Sequence, residues 1–224
     1  MTDDATALMR HQGDTRGDHY FTGQPASAEE RRDIAVRIAG REVTVEVASG
    51  VFSPSRIDLG TQVLFREVPA PPPSGNLLDL GCGWGPIALT LAMESPGATV
   101  WAVDVNTRAL DLVSRNAERL GLTNVRACLP DEVPAGIRFD AIWSNPPIRV
   151  GKEVLHGMLR TWLARLTVSD GAAAGAWLVV QKNLGSDSLA AWMAAELGQA
   201  LGVSVERCGS AKGFRVLRVV HHGM

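Results

Sequence analysis

The residues best suited to do chemistry begin with a glycine-rich stretch at positions 79–85, Asp-Leu-Gly-Cys-Gly-Trp-Gly. An apolar run precedes it, and Pro86 opens a segment of helical composition behind it, since proline loses no hydrogen bond in a first helical turn. A strand, a glycine turn and a helix form the nucleotide-binding start of a doubly wound sheet. The spacing D-x-G-x-G-x-G differs from the dinucleotide pattern G-x-G-x-x-G, so it implies no pyrophosphate. Glycines let a ligand lie against bare main chain, and the carboxylate of Asp79 suits a ligand with a positive amino group.

Residues 77–86, Leu-Leu-Asp-Leu-Gly-Cys-Gly-Trp-Gly-Pro, resemble motif I of the class I S-adenosyl-L-methionine (AdoMet) methyltransferases. The resemblance implies that the glycine loop cradles the methionine part of AdoMet, with contacts from Asp79, Gly81, Cys82 and Gly83. The structural alternative for this stretch alone is a tight strand-to-helix turn that binds no ligand. Cys82 also suits a plain space-filling role, because it is small.

Acidic residues follow the next two predicted strands, at the sheet edge where open α/β folds bind their ligands. Asp104 stands 19 residues beyond Gly85, and a carboxylate there can accept both ribose hydroxyls of a nucleoside. Val105 beside it is included in the predicted cofactor site. Asp131 follows the third strand, and the family resemblance assigns this position to the adenine amino group. The alternative for both acids is a solvated loop.

The motif Asn145-Pro146-Pro147 follows the fourth predicted strand and is the most specific signal in the chain. An exocyclic base amine is a poor nucleophile because its lone pair is delocalised into the ring. The Asn145 amide oxygen, which also borders the cofactor, and the Pro146 carbonyl can each accept one amine proton and so favour the tetrahedral, nucleophilic nitrogen. The two prolines fix φ and preorganise these acceptors. The alternative is a proline pair that merely ends a strand.

Asn-Pro-Pro followed by an aromatic residue is similar to the motif of amino-group methyltransferases that act on adenine, on guanine N2 and on protein glutamine. This chain departs from it at Ile148, which cannot supply full aromatic stacking. Phe52, Tyr20 and Phe21 are candidates for the missing stacking partner. The predicted substrate site therefore includes Ile148 and Phe52, together with Ser53.

Further stretches resemble the "methyltransferase small" group, which includes the RsmC-type guanine-N2 methyltransferases of small-subunit ribosomal RNA. They are His19-Tyr20-Phe21, residues 50–53 with 58–61, residues 145–152, and a closing hairpin around 211–216. The resemblance covers about residues 19–220. It implies AdoMet as the cofactor and RNA as the partner, either ribosomal RNA or a ribosomal subunit. The two-domain enzymes carry an additional N-terminal half-domain that these 224 residues do not include, so the RNA target cannot be carried over.

Charge and cysteine content limit the RNA-binding and metal sites that the sequence can contain. A net charge of −2 gives no global basic excess, so any RNA contact must come from local patches. Arg149 and Lys152 directly follow the Asn-Pro-Pro motif and are candidate phosphate contacts, with a solvated helix start as the alternative. The three cysteines are scattered without metal-ligand spacing, and we predict no metal site.

Length and composition fit one α/β domain with a small appendage, since 46% of the 224 residues are hydrophobic. No apolar run is long enough to span a bilayer, and the polar N-terminus is unlike a signal peptide. An odd number of cysteines without a secretory signal favours reduced thiols. We therefore expect a soluble, cytoplasmic protein that does not associate with membranes.

The chain divides into three predicted parts. Residues 1–18 are polar and are expected to form a disordered tail. Residues 19–75 form an extension that ends in a proline-rich linker, and alternation on both sides of Gly40 predicts a β-hairpin over 33–48, outside the main sheet. Residues 76–224 form the AdoMet-binding core, as one structural unit with the extension.

Strands and helices alternate from residue 76, so the predicted fold class is α/β, a Rossmann-like seven-stranded doubly wound sheet of the class I methyltransferase type. The predicted strands are 76–80, 99–104, 124–128, 139–144, 176–181, 203–208 and 214–220. The last two are expected to form an antiparallel hairpin at the sheet edge. Besides the helices that begin near Asp58 and at Pro86, helices are predicted over 106–120, 153–166 and 188–201.

Three functions follow from these patterns. The leading one is AdoMet-dependent methyl transfer to an exocyclic base amine of RNA, with guanine N2 of ribosomal RNA preferred. The second keeps the chemistry and moves it to adenine N6 or a protein glutamine. The third is a non-catalytic AdoMet-binding module that interacts with RNA, against which the intact Asp79, Asp104 and Asn145 argue. The sequence predicts no oligomeric state.

Overall fold

A computed structural model describes residues 30–168, 171 and 173–223 of the chain. The predicted tail at 1–18 and the cluster His19-Tyr20-Phe21 lie outside these residues. Of the three candidates for a stacking partner, the structure therefore places only Phe52. No helix in the described ranges is long and apolar enough to cross a membrane.

Nine strands and six α-helices follow one another in the described part of the chain. The strands are β1 (Arg31–Ile38), β2 (Arg41–Ala48), β3 (Ser74–Leu80), β4 (Gly97–Val103), β5 (Val125–Cys128), β6 (Ala141–Ser144), β7 (Gly175–Gln181), β8 (Val203–Ala211) and β9 (Phe214–His221). The helices are α1 (Leu59–Glu67), α2 (Pro86–Glu94), α3 (Thr107–Arg119), α4 (Lys152–Leu163), α5 (Ser186–Trp192) and α6 (Gly198–Leu201), the last two joined by a π-helical turn at Met193–Leu197.

Seven strands form one sheet in the order β5-β4-β3-β6-β7-β9-β8. The first five lie parallel to one another, whereas β9 is antiparallel to both β7 and β8. The chain adds strands outward from β3 to β5 and then crosses to β6 on the other side of β3. Open α/β sheets bind ligands at such a switch point. The predicted seven-stranded doubly wound sheet and its antiparallel C-terminal hairpin are confirmed.

The core explains why the central strands are apolar throughout rather than alternating. Leu77 and Leu78 are adjacent in β3 and both are fully buried, because helices cover the two faces of the sheet. Leu77 belongs to a cluster with residues of α1 and α2, whereas Leu78 belongs to a cluster with residues of α4 and α5. The helices on both faces thus hold the strand ends in fixed positions.

The predicted hairpin is confirmed as a separate two-stranded sheet formed by β1 and β2. Its apolar face, including Val45 and Val47, packs against Leu112 of α3. The fully buried Asn116 of α3 accepts a hydrogen bond from the Glu46 backbone N–H at 2.7 Å and donates to the Glu46 carbonyl at 2.9 Å. The same side-chain nitrogen donates to the carbonyl of Trp84 at 3.2 Å. One amide therefore joins the hairpin, α3 and the glycine loop.

The Glu46 side chain adds a charged link between the hairpin and α3. Its carboxylate accepts hydrogen bonds from Arg115 Nε at 2.8 Å and from Arg31 Nη1 at 2.9 Å. The hydrogen bonds from Arg115, first, and Arg31 lower the pKa of Glu46 against the opposing effect of burial. The carboxylate is thus held in its charged form, where it bridges two elements.

The strand predicted over 203–208 is too short. β8 continues to Ala211 across a register shift between Arg207 and Gly209. Bulges tolerate glycine, and here a Cβ at Gly209 would overlap the side chain of Glu67. Glycine at position 209 therefore leaves room for the Glu67 side chain, and the strand continues past it.

Candidate functional site

A cavity of about 670 Å³ opens at the carboxyl edge of the sheet, around the switch point. Its walls come from the ends of the parallel strands, from the segment after β2, from α4 and from the start of β9. Ten of the residues predicted from the sequence line it: Phe52, Gly81, Gly83, Asp104, Val105, Asn145, Pro146, Pro147, Ile148 and Arg149. The fold thus brings the glycine loop, the strand-end acid and the Asn-Pro-Pro motif together.

Five predicted site residues do not line this cavity. Cys82 and Ser53 border a smaller recess beside the glycine loop. Asp131 and Lys152 are exposed, and Pro130 lines the wall where Asp131 was expected. The fifth, Asp79, is fully buried.

Asp79 supports the start of α2 instead of facing the cavity. Its Oδ2 accepts a hydrogen bond from the Ala88 N–H at 2.9 Å. The N-cap residue of α2, Gly85, has no side chain, so Asp79 satisfies one of the backbone N–H groups that lack a partner in the first turn. Its Oδ1 has no partner within the part of the chain that the structure describes. Burial, first, and the nearby Asp104 raise the pKa of Asp79 well above its usual range. A contact from Asp79 to the cofactor stays a prediction.

The glycine loop presents bare main chain to the cavity. Gly81 and Gly83 have φ values of 78° and 54°, a region that glycine adopts without steric cost. The Gly81 N–H donates to the Val103 carbonyl at 2.8 Å, so the end of β4 holds the loop. A Cβ at Gly81 would lie 3.7 Å from Pro147 Cδ, which places the glycine loop and the Asn-Pro-Pro motif side by side.

Asp104 lies on the cavity wall and also orders the loops around it. Its Oδ2 accepts from the Gly83 N–H at 3.0 Å, and its Oδ1 accepts from the Asn106 N–H at 2.9 Å. Burial raises the pKa of Asp104, against the opposing effect of these backbone hydrogen bonds. Each carboxylate oxygen has a further lone pair, so both can still accept a hydroxyl of a ligand.

The segment after β2, which carries Phe52, is tied to the same loops. Asn106 Nδ2 donates to the Gly50 carbonyl at 2.9 Å, and Trp84 Nε1 donates to the Ser53 carbonyl at 3.1 Å. Phe52 lies next to the glycine loop and keeps 41% of its surface exposed at the cavity. The hairpin extension therefore contributes a wall of the site.

Asn145 follows β6 and is held by two residues of the α1 region. Its Nδ2 donates to Asp58 Oδ2 at 2.9 Å and to Thr61 Oγ1 at 3.1 Å. Its Oδ1 has no hydrogen-bond partner among the residues that the structure describes. The Pro146 carbonyl accepts from the Ile148 N–H at 2.8 Å, which leaves one of its two lone pairs available.

Sequence reasoning missed several residues of the site. Asp58 and Thr61 entered only through the resemblance, without a role. Gln181, Leu184 and Phe214 line the cavity but were not singled out. Gln181 ends β7, so the strand-end rule that selects Asp104 and Asn145 would have found it; Phe214 comes from an antiparallel neighbour, to which that rule does not apply.

Comparison with known proteins places this arrangement in a family. The model of the methyltransferase small domain matches residues 42–218. The chain belongs to this family. The uncharacterized protein YbxB of Bacillus subtilis is 35% identical over 174 residues, which cover 76% of this chain and 85% of that protein. Ribosomal RNA small subunit methyltransferase C of Aeromonas hydrophila is 39% identical over 126 residues, which cover 55% of this chain and 36% of that protein.

Two solved structures share the fold of this chain. T. thermophilus 16S rRNA N2 G1207 methyltransferase (RsmC), in complex with AdoMet and guanosine, is 25% identical and superposes with a TM-score of 0.69 over 88% of this chain and 52% of its own. M. jannaschii TYW2 in complex with AdoMet shares the fold, with a TM-score of 0.56 at 15% identity over 86% of each chain. This chain thus spans about half of RsmC and 36% of the A. hydrophila relative. The predicted family, fold class and methyltransferase activity are confirmed.

Proposed function

We propose that this chain transfers a methyl group from AdoMet to an exocyclic base amine of RNA, namely guanine N2 of ribosomal RNA. The observation that carries the proposal is the Asn145 amide, whose nitrogen is held by Asp58 and Thr61 while its oxygen has no partner among the described residues. This amide lines the same cavity as Gly81 and Asp104. A hydrogen-bond acceptor for an amine thus lies in the cavity that suits the methyl donor.

The methyl donor is AdoMet, and the cavity residues fit it. Gly81 and Gly83 offer bare main chain for the methionine part, where a side chain would fill the cradle. The Asp104 carboxylate can accept the ribose hydroxyls, and Val105 and Pro130 supply apolar wall for the adenine. When bound, AdoMet would supply an electrophilic methyl group on a sulfonium sulfur and would leave as the neutral thioether. The methylated nitrogen, acidic because it carries positive charge, would lose its proton to water, so the protein needs no strong general base.

The chain's own residues prepare the amine for attack. Asn145 Oδ1 accepts one amine hydrogen, and the free lone pair of the Pro146 carbonyl accepts the other, which draws the nitrogen toward a tetrahedral geometry. The hydrogen bond from the Ile148 N–H at 2.8 Å fixes the direction of that carbonyl. Pro146 and Pro147 restrict φ, so the acceptors are ordered before the substrate binds. Phe52 and Ile148 provide apolar surface for the base.

The relatives favour guanine N2 among the possible amines. The RsmC structure that matches 88% of this chain is that of a 16S rRNA N2 G1207 methyltransferase. The same pair of acceptors would also hold adenine N6 or the side-chain amide of a protein glutamine. A ribosomal substrate accords with the cytoplasmic location expected from the sequence.

A label-transfer assay tests the proposal. The purified protein is incubated with radiolabelled AdoMet and, separately, small ribosomal subunits, naked small-subunit RNA and a protein fraction, and the modified position is mapped by nuclease digestion and mass spectrometry. Label on guanine N2 of the RNA is the expected result. Label on adenine or on protein would show that the same chemistry acts on another substrate. AdoMet binding by calorimetry without transfer to any substrate would identify a non-catalytic module.

Asp104→Ala should weaken AdoMet binding by about 1–3 kcal/mol, or about 5- to 150-fold in Kd, because a charged acceptor is removed. Calorimetry measures the change. Glu118→Ala, which removes an exposed acid on α3, is the control of equal charge and should bind as the wild type does. Wild-type affinity of Asp104→Ala would exclude Asp104 from the cofactor site.

Replacing Arg149 and Lys152 together by glutamine should raise the KM for RNA and leave AdoMet affinity unchanged. Both side chains are exposed next to the Asn-Pro-Pro motif, and neither forms an ion pair or hydrogen bond within the described ranges. For every phosphate that the variant no longer neutralises, the slope of log KM against log salt should decrease by about 0.7 to 0.9.

The matched control for this charge change is Arg37→Gln with Arg41→Gln. Arg41 begins β2, and seven residues of extended strand place it roughly 23 Å from Ala48, where the chain leaves the hairpin toward the cavity. This double variant should keep the wild-type slope. An unchanged slope in the Arg149 and Lys152 variant would show that these residues are merely solvated.

A further inference from the structure

The Asn145 amide is held by two side chains from one short region of the chain. Asp58 caps the N-terminus of α1, where its Oδ2 accepts from the Gly60 N–H at 2.7 Å and from Asn145 Nδ2 at 2.9 Å. Thr61, in the first turn of α1, accepts from the same nitrogen at 3.1 Å. We propose that Asp58 and Thr61 are positioning residues that turn Asn145 Oδ1, and not Nδ2, toward the target amine. The inference rests on the proposed function.

The orientation of this amide decides whether it can bind an amine. An asparagine side chain carries an acceptor oxygen and a donor nitrogen of nearly equal size, so shape alone does not distinguish the two orientations. If Asn145 turned its Nδ2 toward the substrate, a donor would face the N–H groups of the amine. The hydrogen-bond partners on the protein side must therefore select the orientation.

Asp58 can make this selection because its charged carboxylate only accepts hydrogen bonds. A reversed Asn145 amide would bring its Oδ1 against Asp58 Oδ2, so two acceptors would repel each other and the carboxylate would lose a donor. The Thr61 hydroxyl can donate or accept, so it strengthens whichever orientation Asp58 selects. Asp58 thus sets the direction, and Thr61 adds a second hydrogen bond to it.

The core holds α1 firmly enough for this task. Thr61 is 2% exposed, and Val63 and Leu64 are fully buried in the cluster that also contains residues of β3, β7 and β9. A Cβ at Gly60 would lie 2.9 Å from both Asp58 Oδ2 and the Phe214 ring, so only glycine lets the start of α1 approach β9 this closely. The two acceptors are therefore fixed relative to the end of β6.

Because the Asn145 amide presents its acceptor oxygen to the substrate, it restricts the type of atom that can be methylated. The target atom must bring hydrogens of its own, as an exocyclic amine or a primary amide does. A ring nitrogen that bears no hydrogen would meet the Asn145 oxygen lone pairs and be rejected. Asp58 and Thr61 thereby contribute to the choice of amino nitrogens over ring nitrogens, through the orientation of Asn145.

Three substitutions test this role in steady-state kinetics. Thr61→Val keeps the shape of the side chain and removes the acceptor, so kcat should fall about fivefold to tenfold, the effect of one hydrogen bond. Thr61→Ser keeps the hydroxyl and should stay within about twofold of the wild type. Asp58→Ala removes the oxygen that accepts from both the Gly60 N–H and Asn145 Nδ2, so kcat should fall by about tenfold or more. AdoMet affinity should not change in any of the three.

A double-substitution cycle separates this positioning from a general structural effect. In an Asn145→Ala background there is no amide to orient, so adding Thr61→Val should change kcat by less than about twofold. If the loss from Thr61→Val is as large in that background as in the wild type, Thr61 acts by another route and the proposal is wrong. Wild-type kcat for both Thr61→Val and Asp58→Ala would equally overturn it.

A measurement without substrate keeps this test independent of the proposed function. The side-chain NH₂ signals of Asn145 in a ¹⁵N–¹H spectrum are those that vanish in Asn145→Asp. They should shift in Thr61→Val and in Asp58→Ala, and stay near their wild-type positions in Thr61→Ser. Unshifted signals in the first two variants would show that the contacts are absent in solution. If the wild type methylates no RNA while these signals shift, the proposed function fails and the contacts to Asn145 stand.

Discussion

Asn145→Ala is expected to lower kcat by about 100-fold or more, by analogy with the loss of one oxyanion-hole donor. The substitution removes the side-chain acceptor for the target amine and leaves the Pro146 carbonyl in place. The interaction matters most in the transition state, where the amine nitrogen becomes tetrahedral and gains positive charge. The rate of the chemical step should therefore fall more than substrate affinity does. Single-turnover rates on the mapped substrate measure the effect.

Asn145→Asp is the sharper comparison because a carboxylate retains acceptors at the same position. It should keep more activity than Asn145→Ala if accepting an amine proton is the role of the side chain. The structure predicts that it will still fall below the wild type, since the new carboxylate would face Asp58 with no donor between them. Wild-type single-turnover rates for Asn145→Ala would remove this residue from the catalytic role.

Asn116→Ala is expected to reduce the free energy of unfolding by about 3–5 kcal/mol, because three buried backbone groups lose their partner together. These groups are the Glu46 N–H, the Glu46 carbonyl and the Trp84 carbonyl, which Asn116 contacts at 2.7, 2.9 and 3.2 Å. Urea denaturation followed by circular dichroism measures the loss. For a domain of ordinary stability, this is a large share of the total.

Two further substitutions on α3 serve as the control and the comparison for this measurement. Ser114→Ala removes an exposed hydroxyl whose only described hydrogen bond goes to the Leu110 carbonyl, and it should change stability by less than about 0.5 kcal/mol. Asn116→Asp keeps an acceptor for the Glu46 N–H but has no donor for the two carbonyls, so it should destabilise as strongly as alanine. A loss below about 1 kcal/mol for Asn116→Ala would show that water or a shift of the hairpin replaces these bonds.

The helix caps and the residues at the strand ends could be predicted from the sequence. Asn106 caps α3 as expected, accepting from the Arg108 N–H at 3.0 Å, and Gly121 follows the helix with a φ of 67°. The glycine loop, Asp104 and Asn145 lie at one sheet edge because each follows a parallel strand. These predictions needed only neighbouring residues and the topology of the fold class.

Contacts between distant segments could not be predicted in the same way. Asp58 and Thr61 precede Asn145 by 87 and 84 residues, and only the packing of α1 beside β7 and β9 brings them to it. The hydrogen bond from the Ala88 N–H to Asp79 was not predicted either, because it depends on how the pleat of β3 turns this side chain toward the first turn of α2. The helix predicted to run to residue 166 ends at Leu163, because Leu166 turns back to pair with the strand region before β6.

Because hydrogen bonds of Trp84 join the hairpin region to the glycine loop, we expect the two to open together. The Trp84 carbonyl accepts from Asn116, and its indole N–H donates to the Ser53 carbonyl in the segment that follows the hairpin. A local opening of the hairpin breaks these bonds and so loosens the loop that cradles the cofactor. Because linkage is reciprocal, a cofactor held by the loop raises the free energy of that opening. A higher cofactor concentration should therefore make opening of the hairpin, and of the following segment that carries Phe52, less frequent.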